Sequence, residues 1–371
     1  MPKKERKDDR HDLWKDNVDQ KFVKNLAEKI SQVFPSFDKA GYVKTVMADQ
    51  FLNRELKDRL NTLARHLKPF LPSDYRKATK ILIKSASLVG EFANWALTGY
   101  VEQFGQDHFD LSVNTLKELT KYGTSEFGIR PYVVAQPDQM LALFSEWATD
   151  KNHHVRRLAA EGSRPRGVWV AHIPDYKDDP TGVLKLLERL KEDDSLYVRK
   201  AVANNLNDIS KDNPQAVIST VRRWLKNDHQ HTNWIVKHGC RSLIKEGDPQ
   251  ILALLGYDTK AKLNLVSFKL NRKQIKIGGS IKVSFTIEAK CDKEQKLIID
   301  YRIGYAKKSG RNSSKVFKLT KRVLLPRESI RLETEHRFAD LSTRKHHPGE
   351  HTLSLLINGV ESETLRFTLE K

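Results

Sequence analysis

The feature that constrains this chain most is a change of hydrophobic period near residue 256. Before it, apolar residues recur at helical spacing, as in Phe22, Leu26, Ile30 and Val33, and again in Leu56, Leu60, Leu63 and Leu67. Short breaks at Pro35-Ser36, Leu71-Pro72-Ser73 and Asp212-Asn213-Pro214 separate helix-length segments, with no convincing strand among them. After residue 260 the pattern alternates. Lys282 to Glu288 puts Val283, Phe285 and Ile287 on one face and polar groups on the other. Leu297 to Tyr305, Val316 to Leu324, Ile330 to Phe338, Thr352 to Ile357 and Thr364 to Leu369 behave alike, with turn signals between them at Gly278-Gly279, Ser309-Gly310, Pro348-Gly349 and Asn358-Gly359. Neither period can serve the other kind of structure, so the expectation is an all-α half over 1–256 and an all-β half over 257–371. About seven short strands in ~110 residues suggest an immunoglobulin-like sandwich. The Cys-Trp-Cys signature of that fold is missing, which keeps a small barrel as the alternative.

The 371 residues suffice for two cores, and the formal charge of +19 calls for a polyanionic partner. Nucleic acid is the first candidate, ahead of a merely soluble basic protein and of an anionic membrane surface. The surplus is uneven: residues 257–371 hold 25 Lys and Arg against 13 Asp and Glu, about +12. Within them Lys307, Lys308 and Arg311 form a cationic loop suited to phosphate, or to plain solvation at a hairpin tip. Two distant cysteines, Cys240 and Cys291, cannot make a four-thiolate metal site or a disulfide framework, which points to a reducing cytoplasm. No signal peptide is expected in the charged opening, Met1 to Arg10, and no run reaches the ~18 to 20 apolar residues of a membrane span. The 13 histidines show no metal spacing and no glycine-rich nucleotide loop occurs, so neither a metal nor another cofactor is expected.

Three segments of the first half superpose. His154-Val155-Arg156-Arg157 aligns with Tyr197-Val198-Arg199-Lys200 after 43 residues, and Trp234-Ile235-Val236-Lys237 follows 37 later. Such periods indicate HEAT-like helix pairs, which stack and leave a long concave surface for an extended partner. In the middle copy Val198, Val202, Leu206 and Ile209 form the core stripe. Tyr197, Ala201, Asn204 and Asp208 form a second stripe about a third of a turn away. Register carries it to His154 and Glu161 in the first copy and to Trp234, His238, Arg241 and Lys245 in the third. One side of the array would then bear carboxylates in the middle and aromatic and basic groups at one end. That suits a cationic centre held on a phosphate backbone, although mixed polar stripes are common on helices.

Two segments go further. Thr124-Ser125-Glu126-Phe127-Gly128-Ile129-Arg130-Pro131-Tyr132 precedes a helix, and Arg156-Arg157-Leu158-Ala159-Ala160-Glu161-Gly162-Ser163-Arg164-Pro165-Arg166-Gly167-Val168-Trp169 closes the first repeat helix. With Tyr197 to Lys200 and Asn204 to Asp208, they resemble the AlkC branch of the HEAT-repeat DNA alkylation-repair glycosylases. The β tail resembles the immunoglobulin-like domain of one AlkC subgroup. Gly167 departs from the bulkier residue expected there. The resemblance implies hydrolysis of the N-glycosidic bond of cationic lesions in duplex DNA, such as 3-methylcytosine, 1-methyladenine and 3-methyladenine. It also implies an approach in bent DNA without full extrusion of the base, unlike most base-modifying enzymes.

The residues match that chemistry. An alkylated base with a fixed positive charge leaves readily, so the protein has to stabilise an oxocarbenium-like sugar and place a water, both tasks for carboxylates. Glu161 and Asp208 are the leading candidates, since repeat geometry puts them on one face. Glu126 rests on the resemblance and could equally complement a helix dipole beside Ser125. Trp169 could offer an aromatic face to the cation or simply fill the core. Arg164, Arg166, Arg199, Asn205, Trp234, His238 and Arg241 are the expected DNA contacts. Arg130 would pair with an acid or hold phosphate. The partner is duplex DNA containing alkylated bases, and a curved array on such a substrate needs no second subunit, so a monomer is expected. The rival is a non-catalytic repeat scaffold that binds DNA or an acidic protein.

Overall fold

The computed structural model describes residues 14–167, 170–258, 260–307, 313–340 and 345–371. These residues form sixteen α-helices followed by eight strands. The helices are α1 (Gln20–Val33), α2 (Lys39–Ala48), α3 (Leu56–Leu67), α4 (Tyr75–Val89), α5 (Asn94–Phe104), α6 (Phe109–Leu119), α7 (Arg130–Ala135) and α8 (Pro137–Trp147). After them come α9 (His153–Gly162), α10 (Pro174–Asp178), α11 (Thr181–Glu188), α12 (Leu196–Ile209), α13 (Pro214–Trp224), α14 (Gln230–Gly239), α15 (Arg241–Glu246) and α16 (Pro249–Leu254). None of the described helices is long and apolar enough to cross a membrane. The chain divides into two compact units. The first runs to Thr220 and includes Asn227–Gly239; the second joins Val221–Lys226 to Cys240–Lys371.

In the first unit the helix starts are written locally: the side chains of Asp19, Asp38, Asp74 and Asn152 each accept a backbone N–H in the first turn. The three superposable segments are α9, α12 and α14, and α12 packs between the other two. Val198, Val202, Leu206 and Ile209 are fully buried, as the helical stripe requires. Gly239 lets α14 lie close on α12, because a Cβ there would come within 3.0 Å of Leu206 Cβ. The third copy ends at that glycine. Arg241 and Lys245 therefore do not continue the stripe of Trp234 and His238, but belong to α15 in the second unit.

The second unit is a two-sheet sandwich. Its strands are β1 (Leu263–Leu270), β2 (Gln274–Lys276), β3 (Ser280–Ala289), β4 (Gln295–Tyr305), β5 (Ser313–Leu324), β6 (Ser329–Arg337), β7 (Gly349–Ile357) and β8 (Val360–Glu370). One sheet has the order β1-β3-β6 and the other β2-β8-β7-β4-β5. Val283, Phe285, Ile287, Leu297, Ile299, Ile303, Leu353 and Leu355 fill the space between them. β1 and the short β2 are additional to the alternating runs visible in the sequence. β2 is only three residues long and pairs in parallel with β8, too brief for an alternation to register. The edge strand β5 carries Lys315, Lys318, Lys321 and Arg322, charges that discourage pairing with another chain.

Besides the strands the unit takes in Val221–Lys226 and the segment from Cys240, and its strands β4 and β7 are buried on both faces. Ile298, Asp300, Leu356 and Asn358, on the far side from the core, are buried as well. Gly247 and Gly359, both at positive φ, meet so closely that a Cβ on Gly247 would stand 2.6 Å from Gly359 Cα. Asn358 Nδ2 also donates to Asp258 O at 2.8 Å.

A histidine–aromatic cluster closes one part of this sandwich. Tyr301 and Tyr305 hydroxyls lie 3.1 and 3.2 Å from the two ring nitrogens of His336, beside Phe338, His346 and His351. Burial lowers the His351 pKa from its ordinary 6.5, outweighing the backbone hydrogen bonds to His347 and Gly304 that act to raise it. A depressed histidine pKa leaves its contribution to stability intact above the unfolded value and loses it as pH falls through the folded one. The melting temperature of this unit should therefore drop as pH falls below the ordinary histidine value of about 6.5. His351→Gln should flatten that dependence in calorimetric scans of the full chain; an unchanged slope would speak against the histidine.

Candidate active site

The site is a chain of alternating charges on the first unit. Arg157, from the middle of α9, pairs with Glu126 through its Nη2, which also stands 3.5 Å from Glu161 Oε2. Arg164, just past the end of α9, pairs with Glu161 and reaches Asp208 on α12, with Nε and Nη2 at 2.7 and 2.6 Å from Oδ2. Lys211 takes the other Asp208 oxygen at 2.9 Å. Glu126, Arg157, Glu161, Arg164, Asp208 and Lys211 thus form one continuous series. All but Lys211 and Glu126 are largely buried, the side chains of Glu161 and Asp208 being 10% and 4% exposed. Thr124 Oγ1 accepts from Arg157 Nη1 at 2.6 Å and lies 3.2 Å from Glu126 Oε2. The Tyr197 ring lies 5.0 Å from the Arg157 guanidinium, in cation–π range.

Burial opposes the charge of both arginines, but the carboxylates override it. Glu161 and Glu126 leave the Arg157 pKa above the ordinary guanidinium value, and Glu161 and Asp208 do the same for Arg164. Such a network strengthens each charge in place, because in a partly dry site removal of one member strands its partners.

Two buried polar residues hold the pieces in register. Asn205, fully buried on α12, donates through Nδ2 to Ala160 O at 2.8 Å and Ser163 Oγ at 3.0 Å. It ties α12 to the end of α9 and so sets Asp208 against Glu161. Arg130 is 4% exposed and spends its guanidinium on carbonyls of a single loop. Nε donates to Ala171 O at 2.6 Å, Nη1 to Arg164 O at 2.7 Å and Gly162 O at 3.4 Å, and Nη2 to Pro165 O at 3.4 Å. Burial pulls its pKa down to about 10, with Arg164 repelling it, which leaves it charged at neutral pH.

These two residues correct the expected DNA contacts, since neither presents its polar atoms to a ligand. Arg199 is half-buried, and its Nη1 donates to the Asp193 and Asp194 carbonyls ahead of α12. Arg166 is more open, paired with Asp212 at 2.6 Å through both Nε and Nη2. Trp234 and His238 stack at 3.8 Å on α14, with His238 exposed, and His154 lies 5.6 Å from the Tyr197 ring. Lys307 and Arg241 are exposed on the second unit. Trp169, Lys308 and Arg311 lie outside the described residues. Arg157, Lys211 and Thr124 are members of the network absent from the expected set. Two of them carried a signal, the i,i+4 spacing of Arg157 to Glu161 and the i,i+3 spacing of Asp208 to Lys211. No group of three potential metal ligands is assembled among the described residues.

The chain is similar to known proteins over nearly its whole length. The model of the DNA alkylation repair enzyme family matches residues 61–243, and that of the C-terminal Ig-like domain of uncharacterised protein YhaZ matches residues 264–371. YhaZ of Bacillus subtilis (strain 168) is 39% identical over 353 residues, 95% of this chain and 98% of its own. The structure of Pseudomonas fluorescens alkylpurine DNA glycosylase AlkC, bound to DNA containing an abasic-site analog, aligns with a TM-score of 0.91. It is 36% identical and covers 97% of this chain and 100% of its own.

A clamp and a phosphate contact make different predictions for Arg130. Arg130→Met should destabilise the first unit by about 2 kcal/mol or more, since it orphans several buried carbonyls. The urea midpoint would report this, while the salt dependence of DNA binding should keep its slope.

Proposed function

The chain belongs to the DNA alkylation repair enzyme family, and we propose that it is a DNA glycosylase acting on cationic alkylated bases in duplex DNA. The substrates in this proposal are 3-methylcytosine, 1-methyladenine and 3-methyladenine. The observation that carries it is the gathering of Glu126, Glu161 and Asp208, from three separate stretches of chain, into one largely buried network. Supporting it is the similarity over nearly the full chain to an alkylpurine DNA glycosylase.

The chemistry follows from the charge of the lesion. A base alkylated on a ring nitrogen departs as a neutral molecule, so protonation of the leaving group is unnecessary. Positive charge instead accumulates on the deoxyribose as the glycosidic bond breaks. Fixed carboxylates in a partly dry site stabilise that charge more strongly than water can, and their orientation is already in place before the reaction. One of them accepts the proton of the attacking water, as a carboxylate does in glycoside hydrolysis. Glu161 and Asp208 are assigned these two tasks, with Glu126 adding to the negative field. Trp169 is assigned an aromatic face toward the cation. Arg164, Arg166, Trp234, His238 and Arg241 are assigned to the DNA, as are Lys307, Lys308 and Arg311 from the second unit. No step calls for a metal or an organic cofactor, and the proposed form is a monomer.

The test is base release from duplex oligonucleotides carrying a single one of these lesions, read as alkali-labile abasic sites. Wild type should release the base. Glu161→Gln and Asp208→Asn should each lower the rate by about 10²-fold or more while DNA affinity stays within a few-fold. Tight binding without release from any of the three substrates would overturn the proposal and favour a non-catalytic DNA-binding scaffold.

A further inference from the structure

We propose that Arg164 is an exchangeable counter-ion. In the free protein it occupies the place of the substrate's positive charge, and it surrenders Glu161 and Asp208 when a DNA phosphate takes its guanidinium. This rests on the glycosylase reading above and supplies that reading with a source of selectivity.

The charges of the network set the requirement. Glu126, Glu161 and Asp208 are matched by Arg157, Arg164 and Lys211, so these six groups are together neutral, and the buried, charged Arg130 beside Arg164 adds only to the positive side. A cation entering a neutral site gains nothing from the carboxylates overall. With the Arg164 side chain withdrawn, the same groups sum to a single negative charge, the complement of one alkylated base or one oxocarbenium-like sugar.

Of the three cations, Arg164 is the one placed to leave usefully. Arg157 is held by Thr124, by Glu126 and Glu161, and by the Tyr197 ring, in the middle of a helix. Lys211 is 44% exposed and pairs with Asp208 through one oxygen, so its departure would free one oxygen of one carboxylate. Arg164 bridges two carboxylates from beyond the end of α9. Its own carbonyl is fixed by Arg130 at 2.7 Å, which allows the side chain to turn while the backbone keeps its place.

The two halves of the exchange need each other. A guanidinium binds phosphate as well as carboxylate, in the same fork geometry. Removing it alone would leave two carboxylates short of a partner in a partly buried site, which is costly. A neutral, undamaged base does not repay that cost, whereas a cationic one does. The DNA backbone thereby offers Arg164 its new partner everywhere, but the transfer completes only where the base is charged.

The experiment compares the affinities of 1-methyladenosine, cationic at neutral pH, and neutral adenosine for the full-length protein by calorimetry. Wild type should bind the two alike. Arg164→Gln should prefer 1-methyladenosine by about tenfold or more, as one net charge at close range warrants. The Glu161→Gln/Arg164→Gln double variant should lose the preference. A well-folded R164Q that treats the nucleosides alike would overturn the exchange, as would a wild type that already prefers the cation to the same degree. Should R164Q fail to fold, R164K retains a charge but cannot span both carboxylates; it should show a smaller preference, and none would overturn the proposal. Nucleoside binding is read without cleavage. An indifferent R164Q beside a wild type that releases bases removes the exchange and leaves the glycosylase standing; a wild type that releases none removes both.

Discussion

A carboxylate taken out of water has to be met by a cation or by hydrogen-bond donors, and this chain brings three carboxylates together at one place. Its solution is alternation. Arg157 stands between Glu126 and Glu161, and Arg164 between Glu161 and Asp208, with Lys211 closing the series. Much else in the first unit serves that arrangement. The HEAT-like stacking of α9 on α12 brings residues 161 and 208 within reach of one guanidinium. The close approach of α14 to α12 at Gly239 extends the same packing. Chemistry that stabilises a passing cation gains from carboxylates already fixed and partly dry, because little reorganisation is left for the reaction itself.

Position in this site is held by buried polar groups whose hydrogen bonds are made within the protein. Arg130 gathers the carbonyls of Gly162, Arg164, Pro165 and Ala171, so the loop after α9 is organised around a guanidinium instead of a hydrophobic cluster. Asn205 joins two repeats where a van der Waals contact would leave freedom to slide. Hydrogen bonds of this kind add modest net stability but are expensive to break, which makes them better at fixing position than at holding the fold together. The sandwich of the second unit follows a similar economy. Strands β4 and β7 of its five-stranded sheet are buried on both faces, and burial among aromatic rings lowers the proton affinity of His351.

By itself the sequence determined the fold class, the repeat and the chain's own positive charge. Each of these follows from the local spacing of side chains or from a simple sum. A helix stripe such as Val198, Val202, Leu206 and Ile209 is legible because its period belongs to one segment, and the same is true of the alternation from Lys282 to Glu288. The carboxylates were legible to the same degree, since repeat register brings Glu161 and Asp208 to equivalent faces. The pairs Arg157–Glu161 and Asp208–Lys211 were also within reach, lying a single helical turn apart. Only the tertiary structure decided which arginines and amides face inward. Arg130 and Asn205 look like Arg164 and Arg166 in a list of polar residues. What separates them is the set of carbonyls that meets Arg130 from 32 to 41 residues away and the one that meets Asn205 from 45 away. Burial of a polar side chain depends on whether distant backbone can satisfy it, and that is a property of the packed chain that no local spacing encodes.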